Sequence, residues 1–122
     1  MRSHYNAINR QEYARAWSYF AAPPGDYAAF AAGYADTAHV ELALGTPVSE
    51  GAAGSTYTAL PMAIRATDTA GAVSVFAGCA TIRQVQAAIQ DPPFRPIQID
   101  AAHLAPTDAP FEEAVPESCP EP

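Results

Sequence analysis

Asp36 and His39 come closest, among the residues of this chain, to an acid–base pair. General-base chemistry needs a carboxylate or imidazole within hydrogen-bond reach of the proton it takes, with a pKa tuned by burial. The competing role is structural: Asp36 and Thr37 tie off a helix end, and His39 faces solvent. Cys79 and Cys119 are the second candidates. Two thiols without a Cys-x-x-Cys motif do not make a zinc site, so no metal is expected. They either close one disulfide that pins the end of the chain to a strand, or remain a strand thiol and an unrelated tail thiol. A third group, Tyr13, Trp17, Tyr34, Tyr57 and Phe76, either lines an apolar pocket with hydroxyls at its edge or fills the core. Asp100 and His103 fall on opposite sides of one predicted strand and form no dyad. Arg65 and Arg83 are expected to find cross-strand partners such as Glu41 or Asp68, and His4 reads as a frayed helix end. No phosphate loop, dinucleotide glycine pattern, zinc-protease helix or nucleophile elbow occurs, so no cofactor is expected.

The elements that must position these residues begin with residues 4–20. There Tyr5, Ile8, Glu12 or Tyr13, Ala16, Trp17 and Phe20 recur at the spacing of one helix face. This predicts a single aromatic helix, with Asn9 to Glu12 on its polar side, ended by Pro23-Pro24. Trp17 is expected to plug the core. Asp26 has the type and position of an N-cap for a second helix over residues 26–37, carrying Tyr27, Phe30 and Tyr34. From His39 the period becomes two. Val40, Leu42 and Leu44 mark a strand that stops at Gly45-Thr46-Pro47. Residues 49–55 read as a loop. Residues 56–68 form a strand with Thr58, Leu60, Met62 and Ile64 on one face, and Pro61 implies an edge position or a bulge. Residues 73–85 return as its hairpin partner, with Gly78 marking a bulge or bend. Residues 86–96 connect to a last strand over 97–104, in which Ile97, Ile99, Ala101 and His103 share a face. Two helices followed by four strands predict an α+β domain whose antiparallel sheet of about four strands curves around the helices.

A chain of 122 residues is one domain of ordinary size. Ala supplies 28 of those residues, so the core rests on few large side chains. Five acids and no base follow Pro106, whereas residues 1–105 carry eight acids and six Arg, so most of the net charge of −7 sits at the end. This divides the chain into a domain over 1–105 and an acidic, Pro-rich tail over 106–122. A nearly neutral domain without a basic stripe argues against nucleic-acid binding. No apolar run is long enough for a transmembrane helix. No signal peptide is present, so either the protein is cytosolic, with Met1 its true start, or an export segment precedes this sequence.

The segments YNAINRQEYARAWSYF, DYAAFAAGYADTAHVEL, GAAGSTYTALPMAI, FAGCATIR and PPFRPIQIDAAHL together resemble an extracytoplasmic bacterial group of lipoproteins and exported domains. That group lies within the nuclear transport factor 2-like superfamily. The likeness runs from Tyr5 to Leu104. It departs at Ala80 and Pro96, where related segments often carry an aromatic. The resemblance implies a cone-like α+β fold, an exported or lipid-anchored location and no particular activity. The expected function is therefore a non-enzymatic exported domain that binds a protein partner or small ligand. The alternatives are a lyase or isomerase using the cone interior, as enzymes of the superfamily do with an Asp or Asp-His pair, and a structural module that dimerises through the sheet face bearing Tyr57, Ala59 and Ala63.

Overall fold

The computed structural model describes residues 1–20, 26–52, 54–85 and 97–119. Pro23-Pro24, Ala53 in the expected 49–55 loop, and the expected connection over 86–96 with its prolines lie outside the described residues.

Residues 4–20 do not form one helix. They form α1 (Arg2–Asn9) and α2 (Tyr13–Ser18), separated by a reversal at Gln11, whose φ is +59°. The Gln11 amide donates to the Ile8 carbonyl and the Glu12 amide to the Ala7 carbonyl. Those two bonds are a Schellman stop, with glutamine in the left-handed position that glycine usually takes. No Gly or Pro announces the break, which is why the periodicity reads through it. The reversal packs α2 back on α1, with Ala7 and Ala16 fully buried. Small side chains let the two backbones approach. α3 (Tyr27–Ala32) starts as expected, with the Asp26 carboxylate accepting from the Ala29 amide at 2.7 Å.

The sheet is antiparallel and has five strands rather than about four: β1 (Thr37–Leu44), β2 (Val48–Ala52), β3 (Ser55–Asp68), β4 (Val73–Val85) and β5 (Ile97–Thr107). The order is β1-β3-β4-β5, and β2 pairs with the first half of β3. β2 occupies most of the expected loop. Pro61 is neither at an edge nor in a bulge. It lies in central β3, between the residues that pair with β2 (through Ala59) and those that pair with β1 (from Met62). Its carbonyl accepts from the Gly45 amide at 2.8 Å, so the nitrogen without a hydrogen faces the seam where the chain leaves β1 for β2. No ladder bond is forfeited there.

Gly78 also differs from expectation, because β4 runs through it in register. The irregularity is at Asp100, an extra residue of β5 opposite Thr81 and Ile82. That bulge shifts the alternation, so Ile99 is followed on the inner face by Ala102 and Leu104, opposite Ala80 and Gly78, and His103 is exposed. The role of Gly78 is proximity. A Cβ there would lie 1.9 Å from the His103 carbonyl oxygen.

One face of the sheet takes the helices. Tyr5, Ala7, Ile8 and Ala16 pack on Val40, Met62, Ile64 and Ala80. The opposite face of β3 is also buried: Ala59, Pro61 and Ala63 have little or no exposed surface. The C-terminal segment covers it. Phe111 packs under the Arg65 guanidinium, 4.7 Å from its ring centre, and Glu112 pairs with Arg65 at 3.6 Å. Val115 reaches Gly45 beside Pro61, and Cys119 is bonded to Cys79. The sheet face expected to be open for dimerisation is thus occupied along β3 by the chain's own end. No helix among the described residues is long and apolar enough to cross a membrane.

Two stability measurements test these contacts. The Cys79–Cys119 bond closes a loop with a sequence separation of 40. The chain-entropy model gives about 4 kcal/mol for such a loop, so Cys79→Ala with Cys119→Ala should lower the urea midpoint accordingly. An unchanged midpoint would show that the strap adds nothing. Gly78→Ala should cost about 3 kcal/mol, because the obstructing atom is backbone, and calorimetry of the variant would reveal it.

Candidate functional site

The helices do not cover the whole inner face. Between α1, α3 and the ends of β1, β3 and β4 lies a cavity of about 610 Å³. Its floor is Tyr5, Val40 and Ile64, which are buried, and its walls are Phe30, Tyr34, Phe76 and Leu104. Ala29, Gly33, Ala72 and Ser74 form an exposed rim. A second cavity of about 300 Å³ adjoins it and shares Tyr5, Phe30, Tyr34 and Leu104. The space exists because α3 is short and its contact-forming residues are mainly alanines. Only Phe30 and Tyr34 reach down from this segment into the core.

Few polar groups enter this apolar space. Burial pushes the Tyr34 phenol pKa up, and that of Tyr5 further, with the neighbouring Tyr34 adding to the effect. Both rings therefore stay neutral hydroxyls, and neither hydroxyl is held by a hydrogen bond among the described residues. Thr37, Thr67, Ser74 and Asp68 complete the polar lining. Among the described residues Asp68 is the one charged residue of the lining. Its Oδ1 accepts from the Ala70 amide at 2.9 Å and the Ala72 amide at 2.8 Å, which closes the β3–β4 turn.

The residues singled out from sequence separate into different places. Tyr34 and Phe76 line the cavity. Tyr13 stacks on Tyr34, with ring centres 6.0 Å apart, outside the lining. Trp17 is not the core plug. The break at Gln11 turns α2, so the indole is half-buried and meets Tyr27 edge-on at 5.8 Å, while Tyr5, Ile8 and Met62 occupy the centre. Tyr57 is on the outer face, 6.0 Å beneath the Arg83 guanidinium. Asp36 and His39 are both exposed and do not line the cavity. The Asp36 carbonyl accepts from the Thr69 amide at 2.9 Å. Arg65 pairs with Glu41 across β1 and β3, and the guanidinium holds the Glu41 carboxyl below the usual range. Among the described residues no cluster of His, Cys, Asp and Glu could hold a metal ion.

Sequence reasoning missed His4 and Asn9. His4 is only 4% exposed and donates from Nδ1 to the Ala16 carbonyl at 2.9 Å, locking α1 to α2. The Tyr5 and Phe20 rings meet it edge-on at 4.9 and 5.3 Å. Asn9 uses its side-chain amide as a strand would use its backbone. Nδ2 donates to the Val40 carbonyl at 2.9 Å, and Oδ1 accepts from the Val40 amide at 2.7 Å. Neither position carries a local signal, since both partners are distant in sequence.

Compared with protein-family models, with curated proteins and with solved structures, this chain matches none.

Burial lowers the His4 pKa from 6.5 to about 4; its bond to Ala16 opposes that shift and the nearby N-terminal charge adds to it. The unfolded chain therefore takes up a proton that the folded chain refuses between those values. Stability is complete above about pH 6.5 and falls as the pH drops toward 4, with about 2 kcal/mol gone between pH 7 and pH 5. Urea unfolding at the two pH values measures it, and His4→Phe should remove most of the difference. A wild-type midpoint that does not move would contradict the buried neutral ring.

Proposed function

We propose that this chain is a non-enzymatic binding domain of an oxidising, extracytoplasmic compartment, and that its ligand is a small, largely apolar molecule seated in the larger cavity. The observation that carries the reading is the cavity itself, about 610 Å³ with aromatic and aliphatic walls and with tyrosine hydroxyls that have no hydrogen-bond partner among the described residues. Small-molecule sites occupy about 300–1,000 Å³ and pair such walls with a few polar groups that fix orientation. The disulfide supports the location, because such bonds persist in oxidising compartments. A cone-like arrangement of the nuclear transport factor 2-like type belongs to the same proposal. Its support is that the helical layer lies on one face of an antiparallel sheet.

Binding is favoured over lyase or isomerase chemistry by the composition of the lining. Among the described residues no imidazole, thiol or amine lines the cavity, and the one carboxylate has Oδ1 committed to a turn. Lyase and isomerase chemistry asks for a positioned acid and base together, and the described lining pairs this carboxylate with no imidazole, thiol or amine.

Ala29→Trp tests the reading. Ala29 is exposed at the rim, so the indole can fill the mouth without crowding the core. The wild-type protein should bind a neutral apolar dye such as Nile red saturably and one-to-one, and the variant should bind it at least about tenfold more weakly, a loss of about 1.4 kcal/mol. Equal binding by both proteins, or none by the wild type, would overturn the proposal.

A further inference from the structure

The larger cavity has a chemical asymmetry that narrows its ligand. Its described lining presents four aromatic rings, Tyr5, Phe30, Tyr34 and Phe76, and one charged residue, Asp68. Among the described residues no Arg, Lys or His lines it. Among the described residues Asp68 belongs to no salt bridge: Arg65, on the same strand, is directed to the outer face, where it meets Glu41, Glu112 and Phe111. Asp68 is half-buried, so its charge is incompletely solvated, and no described residue supplies a counter-ion. Aromatic faces carry negative quadrupole density and attract a cation placed over them. An anionic ligand would meet that density, a carboxylate and a protein of net charge −7, with no cation among the described lining residues to offset them.

From these features we infer that the ligand is a hydrophobic cation: an amine or quaternary ammonium whose apolar body lies on Tyr5, Ile64 and Leu104, with its charged end toward Asp68 and Phe76. The inference rests on the binding function proposed above and goes further by assigning the ligand's charge. The turn contacts of Asp68 fit this role, because two backbone amides on Oδ1 fix the carboxylate at the rim without neutralising it. The tyrosine hydroxyls can accept from an ammonium N–H. A quaternary head would use the rings and the carboxylate alone.

Displacement of bound Nile red by decyltrimethylammonium, decanoate and decanol, each below its micelle concentration, separates the possibilities. The cation should displace the dye at a concentration at least about tenfold lower than the anion, and lower than the alcohol. Asp68→Asn keeps an Oδ1 that can accept from Ala70 and Ala72. It should weaken the cation about fivefold or more and leave decanol unchanged, and Phe76→Leu should also weaken the cation more than decanol. Glu50→Gln, an exposed change outside the cavity, should alter none of the three and so excludes general attraction to a negative surface. Should decanoate or decanol match the cation, or Asp68→Asn and Phe76→Leu both keep its advantage, the charge assignment fails while the cavity reading stands. If Nile red itself does not bind, both fail together.

Discussion

Everything in this protein follows from the burial of β3 on both faces. Adjacent residues of that strand, Pro61 and Met62, are its two largest fully buried side chains, and they point in opposite directions. The helices can cover only the Met62 side. A central strand with an apolar second face would otherwise leave Ala59, Pro61 and Ala63 in water. The chain answers by bringing residues 111–119 back over that face and bonding Cys119 to Cys79, the residue paired with Pro61 on β4. Arg65, between Glu41, Glu112 and Phe111, fixes the other end of the same strap.

The sheet edges impose the second requirement. An unpaired edge exposes backbone donors and acceptors that invite association. Here the ends of the helical layer meet both edges. Asn9, at the end of α1, satisfies both backbone groups of Val40 on β1. On the far side the Ile99 amide of β5 donates to the Tyr19 carbonyl just past α2, and Phe20 bridges to Ile99. One continuous helix could not make both contacts. The stop at Gln11 directs the two segments to opposite edges, and the His4–Ala16 bond holds them at the turn. The layer so positioned leaves the inner face open under α3, and the cavity is the space that remains.

The elements legible in sequence were those whose signals are local. The alternation of β1, β3 and β4 and the Asp26 cap are carried by neighbouring residues, so their existence and approximate ends were readable. The Schellman stop was hidden because glutamine took the glycine position, and this misplaced Trp17. The Asp100 bulge was equally silent, and it reversed the side on which His103 lies. β2 reads as a loop because Ser49, Glu50 and Gly51 are poor strand formers that pairing with β3 nevertheless recruits. The cavity-forming residues show the limit most clearly. Tyr34 and Phe76 stood out as large aromatics, but Asp68 reads as an ordinary turn residue. Only the three-dimensional path of β3 and β4 brings it into the lining of the same cavity as the four rings.

The account depends most on the strap over the outer face of β3. In a solution NMR spectrum of the oxidised protein, the Val115 methyl groups should give nuclear Overhauser contacts to the Gly45 Hα and Pro61 ring protons, since Val115 Cγ1 would lie 2.9 Å from a Cβ at Gly45. The Ala59 and Ala63 methyls should at the same time be shielded from a soluble paramagnetic probe. If those contacts are missing and the probe broadens the alanine methyls, the second face of β3 is open and the account is wrong at its centre.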